Sequence, residues 1–242
     1  MSTPLVSPHF TTVSTGNEEL DVRLGGGVPI PSLLTIEGDN GTGKTVLCCQ
    51  LTRGFLIENM KVMYITTESS VRQLLEHSKN ISIDLTQSFM AGNLSIVPAL
   101  IEGARWSRSR ARALLRNLVE YLRNSSRSYN VIVIDSASLI LHYASDFDVH
   151  NVLSELKNIV KRGVTVVMTI HPAIVSEKVV KELTAVSDVY FRLSIGEIGG
   201  RAVKVLYVVK IRGAPSIAET SIAFDVDPAF GLKIVPLALA KA

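Results

Sequence analysis

The chain has 242 residues, of which 47 % are hydrophobic and 19 % are charged, so it can build one sizeable core. A net charge of +3 is too small to indicate nucleic-acid binding by itself, because a DNA-binding domain usually concentrates more positive charge on one face. No apolar stretch is long enough to span a bilayer, and residues 1–8 do not read as a secretory signal. We therefore expect a cytoplasmic protein with a single domain over residues 1–242.

Apolar runs alternate with segments of helical spacing up to residue 186. The runs predict strands at 33–37, 62–66, 94–97, 131–135 and 164–170. The spacing predicts helices at 44–58, 70–77, 108–124, 149–161 and 176–184. Beyond these, runs at 188–195 and 201–210 predict a hairpin, and 217–225 and 232–236 predict further strands. The sequence thus predicts an α/β fold, with a mostly parallel sheet flanked by helices and C-terminal antiparallel strands.

A phosphate-binding motif, G-x-x-x-x-G-K-[ST], lies between the first of these strands and the helix after it. Its glycines let backbone N–H groups face phosphates, Lys44 supplies a point charge, and the Thr45 hydroxyl can ligate Mg²⁺. We therefore expect this chain to bind a nucleoside triphosphate with Mg²⁺ and no other metal. The predicted nucleotide-binding residues are Gly38, Asp39, Asn40, Gly41, Thr42, Gly43, Lys44, Thr45 and Val46.

The second half of the predicted site is the strand 131–135, in which four apolar residues precede Asp135. Its position at the carboxyl edge of a parallel sheet would place this carboxylate beside the phosphate loop. There it can hold Mg²⁺ through water while Thr45 binds the ion directly. The pattern is that of a Walker B strand, although an apolar strand ending in Asp is also common as an ordinary turn.

The segment 105–127 carries the strongest charge asymmetry, with seven arginines against Glu120. Such a run is most often a solvated helix face, and it can also be a docking surface for an acidic partner or for membrane headgroups. Trp106 is the only tryptophan, and no row of stacking aromatics accompanies the charge, so we expect no nucleic-acid partner. The arginines are Arg105, Arg108, Arg110, Arg112, Arg116, Arg123 and Arg127.

Together the two motifs, the entry 24–29 (LGGGVP) and the tail 210–213 (KIRG) resemble the KaiC branch of the RecA-like ATPases. The chain is most similar to the KaiC-like proteins of the archaellum, the archaeal swimming motor, including their ending at 231–236. The resemblance implies a RecA-like P-loop core that forms a hexameric ring with nucleotide at subunit boundaries. It also implies a peripheral protein at the inner face of the cell membrane, with the motor ATPase FlaI and the ring protein FlaX as partners.

The resemblance also assigns candidate catalytic residues. KaiC-like proteins usually carry two acidic residues after the strand 62–66, but here Thr67 takes the first position and only Glu68 remains. A hydroxyl of ordinary pKa cannot replace a carboxylate as a general base, so we expect slow or absent hydrolysis. Thr169 matches a position that can sense the γ-phosphate. Lys210 and Arg212 match residues that reach the γ-phosphate of a neighbouring subunit, with an exposed basic strand edge as the alternative.

Two classes of function remain open from the residues. In the first, ATP binding gates assembly of an archaellum motor component with little turnover. In the second, the protein is an enzyme, either an active ATPase or an autokinase that labels a hydroxyl beside Glu68. A RecA-like recombinase is disfavoured because residues 173–178 are short for a DNA-binding loop. The candidate acceptor hydroxyls are Thr66, Thr67, Ser69 and Ser70.

Overall fold

The computed structural model describes residues 10–99 and 108–236, and for 108–111 the backbone alone. The strands in this part of the chain are β1 (Thr11–Val13), β2 (Val28–Ile30), β3 (Leu33–Gly38), β4 (Val62–Thr66), β5 (Leu94–Pro98), β6 (Val131–Asp135), β7 (Thr165–Ile170), β8 (Val189–Ile198), β9 (Arg201–Ile211), β10 (Ser221–Asp227) and β11 (Gly231–Ile234). The helices are α1 (Glu18–Arg23), α2 (Lys44–Ile57), α3 (Val71–Asn80), α4 (Thr86–Met90), α5 (Arg108–Ser125), α6 (Ser138–Tyr143), α7 (Asp146–Lys161) and α8 (Glu177–Val186).

One nine-stranded sheet organises the molecule, in the order β11-β10-β9-β8-β3-β7-β6-β4-β5. The strands from β8 to β5 in that order run parallel, and β9, β10 and β11 continue the sheet antiparallel. The predicted α/β class with C-terminal antiparallel strands is therefore confirmed. Separately, β1 and β2 form a small antiparallel pair.

Side chains alternate across the central strands and feed two cores, one on each face of the sheet. On β3, Leu34 and Ile36 join a cluster that includes Leu47 of α2. Leu33 of the same strand joins a second cluster with Leu153 of α7 and Leu183 of α8. Because both faces are covered, the central strands are buried along their whole length, as their continuous apolar runs predict.

The predicted strands at 33–37, 62–66, 94–97 and 131–135 are found with ends within one residue. The helix predicted at 149–161 begins earlier, at Asp146, because Ser145 and Asp148 form a capping box there. Hydrophobic periodicity did not predict five elements, which have six residues or fewer and are too short to show a period: β1, β2, α1, α4 and α6. Arg105 and Trp106 lie outside the described residues.

Different candidate residues lie at the two ends of the parallel strands. Gly38 and Asp135 end β3 and β6, so both lie at the carboxyl edge of the parallel strands. β9 runs antiparallel to these strands and is followed by Arg212. The Arg212 amide donates to the Asp188 carbonyl, and the Asp188 amide donates to the Leu33 carbonyl. Arg212 is therefore level with the start of β3, roughly 16 Å along the strand direction from Gly38.

No helix in 10–99 or 108–236 combines the length and the apolar character needed to cross a bilayer.

Candidate nucleotide-binding site

The phosphate loop connects the end of β3 to the start of α2. Gly43 precedes the helix with φ 98°, a left-handed conformation that glycine adopts without a side-chain clash. Lys44 is the first helical residue, and its Nζ donates to the carbonyl oxygens of Gly38 at 2.8 Å and Asp39 at 2.9 Å. The ammonium therefore lies across the loop, at the N-terminal end of α2, where backbone N–H groups favour an anion.

Gly38 is required by close packing. A Cβ at this position would lie 2.6 Å from Thr42 Oγ1 and 3.0 Å from Leu193 Cβ, so a larger residue would displace the loop. The Thr42 hydroxyl in turn donates to the Asp39 carbonyl at 2.7 Å. These contacts hold the loop as a tight turn over the end of β3.

The charge of Lys44 is balanced by acids from three parts of the chain. Burial lowers the pKa of the Lys44 ammonium, and the carboxylates of Glu68, Asp135 and Asp39 raise it in opposition. The same acids surround the place where Mg²⁺ and phosphate charges would meet. The loop thus combines one half-buried cation with carboxylates contributed by separate strands.

Asp135 is buried at 5 % exposure, and both its oxygens accept hydrogen bonds from neighbouring strands. Tyr64 of β4 donates its hydroxyl to Oδ2 at 2.7 Å, and Thr169 of β7 donates to Oδ1 at 2.7 Å. Burial and the nearby Asp135 raise the pKa of Tyr64, so the tyrosine remains a donor. The two hydroxyls fix the orientation of the carboxylate and leave each oxygen a second lone pair.

The donor set at this edge suits Mg²⁺ chemically. Asp135 offers carboxylate oxygens and Thr45 a half-buried hydroxyl, which are the hard oxygen ligands that Mg²⁺ prefers. No group of three or more His, Cys, Asp or Glu side chains arranged for a metal occurs among the described residues. Residues of this kind hold Mg²⁺ together with substrate phosphates, with a carboxylate acting through water, and the predicted roles of Thr45 and Asp135 remain predictions.

Thr67 and Glu68 follow β4 and both contact Ser136, the residue after Asp135. The Thr67 hydroxyl donates to the Ser136 carbonyl and accepts from the Ser136 amide, each at 3.0 Å. The Ser136 hydroxyl donates to Glu68 Oε1 at 3.0 Å. Glu68 is exposed and lies close enough to Lys44 to influence its pKa, so its placement beside the loop fits the predicted role. Thr67 instead links two backbone segments.

Thr169 is fully buried and its hydroxyl is directed at Asp135, so in this structure it acts on the carboxylate. Direct sensing of the γ-phosphate by Thr169 remains a prediction. The residue directly after β7 is His171. Its Nδ1 is buried without a hydrogen bond and lies 3.7 Å from Asp39 Oδ1 of the phosphate loop.

Lys210 and Arg212 lie far from the phosphate loop of their own chain. Lys210 Nζ donates to the carbonyl oxygens of Thr184 at 3.2 Å and Ala185 at 2.9 Å, in the last turn of α8. β9 ends at Ile211, so the exposed Arg212 follows the strand and does not share it with Lys210. Its guanidinium has no hydrogen bond within the described residues. The trans role of both residues stays a prediction, and Lys210 has a stabilising role in its own chain.

The basic helix α5 is partly neutralised by α7. Arg123 donates to both carboxylate oxygens of Glu155 at 2.9 and 3.0 Å, and Arg112 donates to Asp148 at 3.1 Å. Hydrogen bonding from Arg123 lowers the pKa of Glu155, so the acid is held ionised. Both acidic partners lie outside the segment 105–127, so the charge asymmetry within that segment did not predict them. This pairing favours the interpretation of a solvated helix face over that of a free basic surface.

Three residues that the sequence analysis did not select complete the site: Tyr64, Ser136 and His171. A tyrosine in an otherwise apolar strand was a usable signal for Tyr64, since a buried phenol needs a hydrogen-bond partner. The contacts of Ser136 and His171 depend on chain segments far away in sequence, for which the residues alone carried no signal.

Comparisons with known proteins agree with this architecture. Residues 13–238 match the family model described as "ATPase: KaiC". A Sulfolobus acidocaldarius protein named archaeal flagellar ATP-binding protein FlaH is 41 % identical over 230 residues, which cover 95 % of this chain and 99 % of that protein. The Methanocaldococcus jannaschii protein of the same name is 26 % identical, covering 93 % of this chain and 96 % of that protein.

A crystal structure of flagellar accessory protein FlaH from M. jannaschii has the same fold. It aligns with a TM-score of 0.80 at 25 % identity, covering 90 % of this chain and 95 % of the other. The sheet order and the phosphate loop thus define a P-loop nucleotide-binding protein with a RecA-like core of the KaiC type. Within the KaiC family, the chain belongs to the FlaH proteins, the ATP-binding proteins of the archaeal flagellum, or archaellum.

Proposed function

We propose that this protein is an ATP-gated assembly component of the archaellum motor that turns ATP over slowly or not at all. The observation that carries the proposal is the environment of Thr67. Its hydroxyl donates to the Ser136 carbonyl and accepts from the Ser136 amide. The resemblance to KaiC-like proteins implies a carboxylate at this position. Glu68 is then the acidic residue left at the end of β4, and a hydrogen bond from Ser136 holds it.

ATP would bind through the phosphate loop, with Lys44 exchanging its two loop carbonyls for phosphate oxygens. Thr45 and Asp135 would hold Mg²⁺, and the ion would neutralise phosphate charge. Tyr64 and Thr169 would keep the Asp135 carboxylate oriented. This arrangement supplies tight binding of ATP without an activated general base for the attacking water.

Nucleotide binding would be linked to ring formation through Lys210 and Arg212. Both lie at the sheet edge opposite the phosphate loop, so they can meet ATP only when it is bound to another copy. Contacts of an ammonium and a guanidinium to a γ-phosphate add charge-assisted bonds at that boundary. ATP and assembly would then promote one another, as linkage requires. The resemblance to archaellum proteins supports a hexameric ring at the inner face of the membrane, in contact with FlaI and FlaX.

A single experiment separates the open functions: the ATP affinity of the purified protein is compared with the fate of γ-³²P-labelled phosphate. The proposal expects tight, Mg²⁺-dependent binding, with release of phosphate far below the roughly 10 s⁻¹ median of enzymes. Release near that median would contradict it and favour an active ATPase. Lys44→Ala serves as the control for a contaminating ATPase.

Self-phosphorylation is the second candidate, and the hydrogen bonds narrow it to one acceptor. Thr66 Oγ1 accepts from the Ser69 amide, Thr67 bridges Ser136, and Ser70 caps α3. The Ser69 hydroxyl has no hydrogen bond in the part of the chain that the structure describes. Label retained on the protein and lost in Ser69→Ala, but not in Ser70→Ala, would establish this alternative.

A further inference from the structure

We infer that the N-terminal segment 10–27 positions Arg212 for its contact with a neighbouring subunit's ATP, with Phe10 as a positioning residue. The inference rests on the proposed trans role of Arg212. The Arg212 side chain has no hydrogen bond in the described residues, so its direction depends on the backbone of the loop 212–219 that carries it. That loop is held by the segment 10–27 at three points.

The first point is Phe10 against Gly213, the residue directly after Arg212. Gly213 has φ +88°, and a Cβ there would lie 2.5 Å from Cδ2 and 2.6 Å from Cβ of Phe10. The aromatic ring thus occupies the space that a side chain at 213 would need. Glycine permits both the left-handed backbone and this close approach. The contact joins residues 203 positions apart and fixes the turn immediately beside Arg212.

The second point is the pair Gly25 and Gly26, which packs against the middle of the loop. The Ser216 amide donates to the Gly25 carbonyl at 3.1 Å, and a Cβ on Gly25 would overlap the Ser216 carbonyl. A Cβ on Gly26 would lie 2.7 Å from Pro215 Cγ. The absence of side chains at 25 and 26 is therefore what lets the two backbones touch.

The third point is Arg23 against the end of the loop. Arg23 Nη1 donates to both carboxylate oxygens of Glu219 at 3.0 and 2.9 Å, and the Glu219 amide donates to the Arg23 carbonyl at 2.8 Å. The opposite end of the loop is held by the Arg212 amide, which donates to the Asp188 carbonyl at 3.0 Å. The loop is consequently restrained at its start, middle and end.

The segment 10–27 has a rigid base of its own on helix α2. Gln50 Nε2 donates to the Thr15 carbonyl at 2.8 Å, and Gly54 allows the Ser14 carbonyl to approach the helix without a side chain between them. Asn17 Nδ2 also donates to the Leu232 carbonyl at 2.6 Å. The helix that begins at Lys44 thereby supports, through this segment, the loop that carries Arg212. Because the backbone of this loop is held in advance, Arg212 would lose less conformational freedom on contact with a neighbour.

The test uses Phe10→Ala in the full chain, with Arg212→Ala for comparison. Both variants should bind ATP as monomers within about twofold of wild type, and both should need at least about tenfold more protein for ATP-dependent assembly in light scattering. Phe10→Tyr, which keeps the ring, should assemble normally. Phe230→Ala is the matched control, because Phe230 is an exposed aromatic outside the loop. Wild-type assembly by Phe10→Ala would overturn the inference.

Mixing distinguishes positioning from a general folding defect. Lys44→Ala copies retain Arg212 but lose the ATP site, whereas Phe10→Ala copies retain the ATP site. With ATP, an equal mixture should form pairs, in which the Lys44→Ala copy completes the site of its neighbour. An equal mixture of Lys44→Ala with Arg212→Ala copies should also form pairs in the presence of ATP. Pairs in the second mixture but not in the first would overturn the inference.

The outcomes also separate this inference from the proposed function. Wild-type assembly by Arg212→Ala would refute the trans contact itself. If Arg212→Ala loses ATP-dependent assembly while Phe10→Ala assembles normally, only the positioning role of Phe10 is refuted. If Phe10→Ala does not fold, Glu219→Ala decides, because the Glu219 side chain is 44 % exposed and its removal should leave the core intact. It should weaken ATP-dependent assembly at least about threefold, and unchanged assembly would count against the inference.

Discussion

The Thr67 hydroxyl both donates to the Ser136 carbonyl and accepts from the Ser136 amide, at 3.0 Å in each direction. The Thr67 amide donates in addition to the Asp135 carbonyl at 2.9 Å. Three hydrogen bonds therefore tie the end of β4 to the end of β6, directly beside the phosphate loop. Thr67, which stands where the resemblance to KaiC-like proteins led us to expect a carboxylate, therefore has a definite structural role in this protein.

Thr67→Val should lower the free energy of unfolding by about 1–3 kcal/mol, because the Ser136 amide and carbonyl lose their partner at a half-buried position. Thr67→Ser keeps the hydroxyl and should be close to wild type. Thermal or denaturant unfolding without nucleotide measures the difference, with Thr220→Val at an exposed position as control. Equal stability of the Val and Ser variants would show that the bridge contributes nothing.

Lys44→Ala should reduce ATP affinity about 100-fold or more, since it removes the cation that lies across the phosphate loop. Asp135→Asn keeps the shape but removes the charge, so ATP should still bind while its affinity becomes nearly independent of Mg²⁺. Titration with ATP in the presence of Mg²⁺ or of EDTA tests both. Retained Mg²⁺ dependence in Asp135→Asn would remove Asp135 from the metal site.

Tyr64→Phe and Thr169→Val should each weaken the Mg²⁺ dependence of ATP binding several-fold, because each deletes one hydroxyl that orients Asp135. Tyr190→Phe is a matched control, since Tyr190 is also buried and donates at 2.8 Å to a different carboxylate, that of Glu37. All three changes should lower the free energy of unfolding by about 1–3 kcal/mol. Only the first two should alter the Mg²⁺ dependence of ATP binding. An equal loss of Mg²⁺ dependence in all three variants would show that the two hydroxyls have no specific role at Asp135.

Lys210→Ala and Arg212→Ala should differ in the stability of the monomer, although both should weaken ATP-dependent assembly. Lys210 Nζ donates to two carbonyls in the last turn of α8, so its loss should lower the free energy of unfolding by about 1–2 kcal/mol. Arg212 makes no comparable side-chain contact in the described residues, and its loss should change stability by less than about 0.5 kcal/mol. Unfolding curves without ATP measure this, and the reverse order would contradict the assignment.

The sequence predicted the long elements and the residues of the phosphate loop because both depend on local patterns. The strand of Asp135 is continuous and apolar, and Lys44 lies in a motif whose spacing sets its backbone. What holds Asp135 could not be seen, since Tyr64 and Thr169 come from strands 71 and 34 residues away. The acids opposite Arg112 and Arg123 were hidden for the same reason, because they belong to the neighbouring helix α7.

The position of Arg212 at the sheet edge opposite Gly38 makes the proposed contact directional. Each copy would present an ATP at one end of its parallel strands and a guanidinium at the other, so in a head-to-tail arrangement every copy would both give and receive one contact. An open row would always leave one ATP uncontacted at one end and one arginine unused at the other. Closure into a ring would use both, and so the last subunit to join would complete two sites at once.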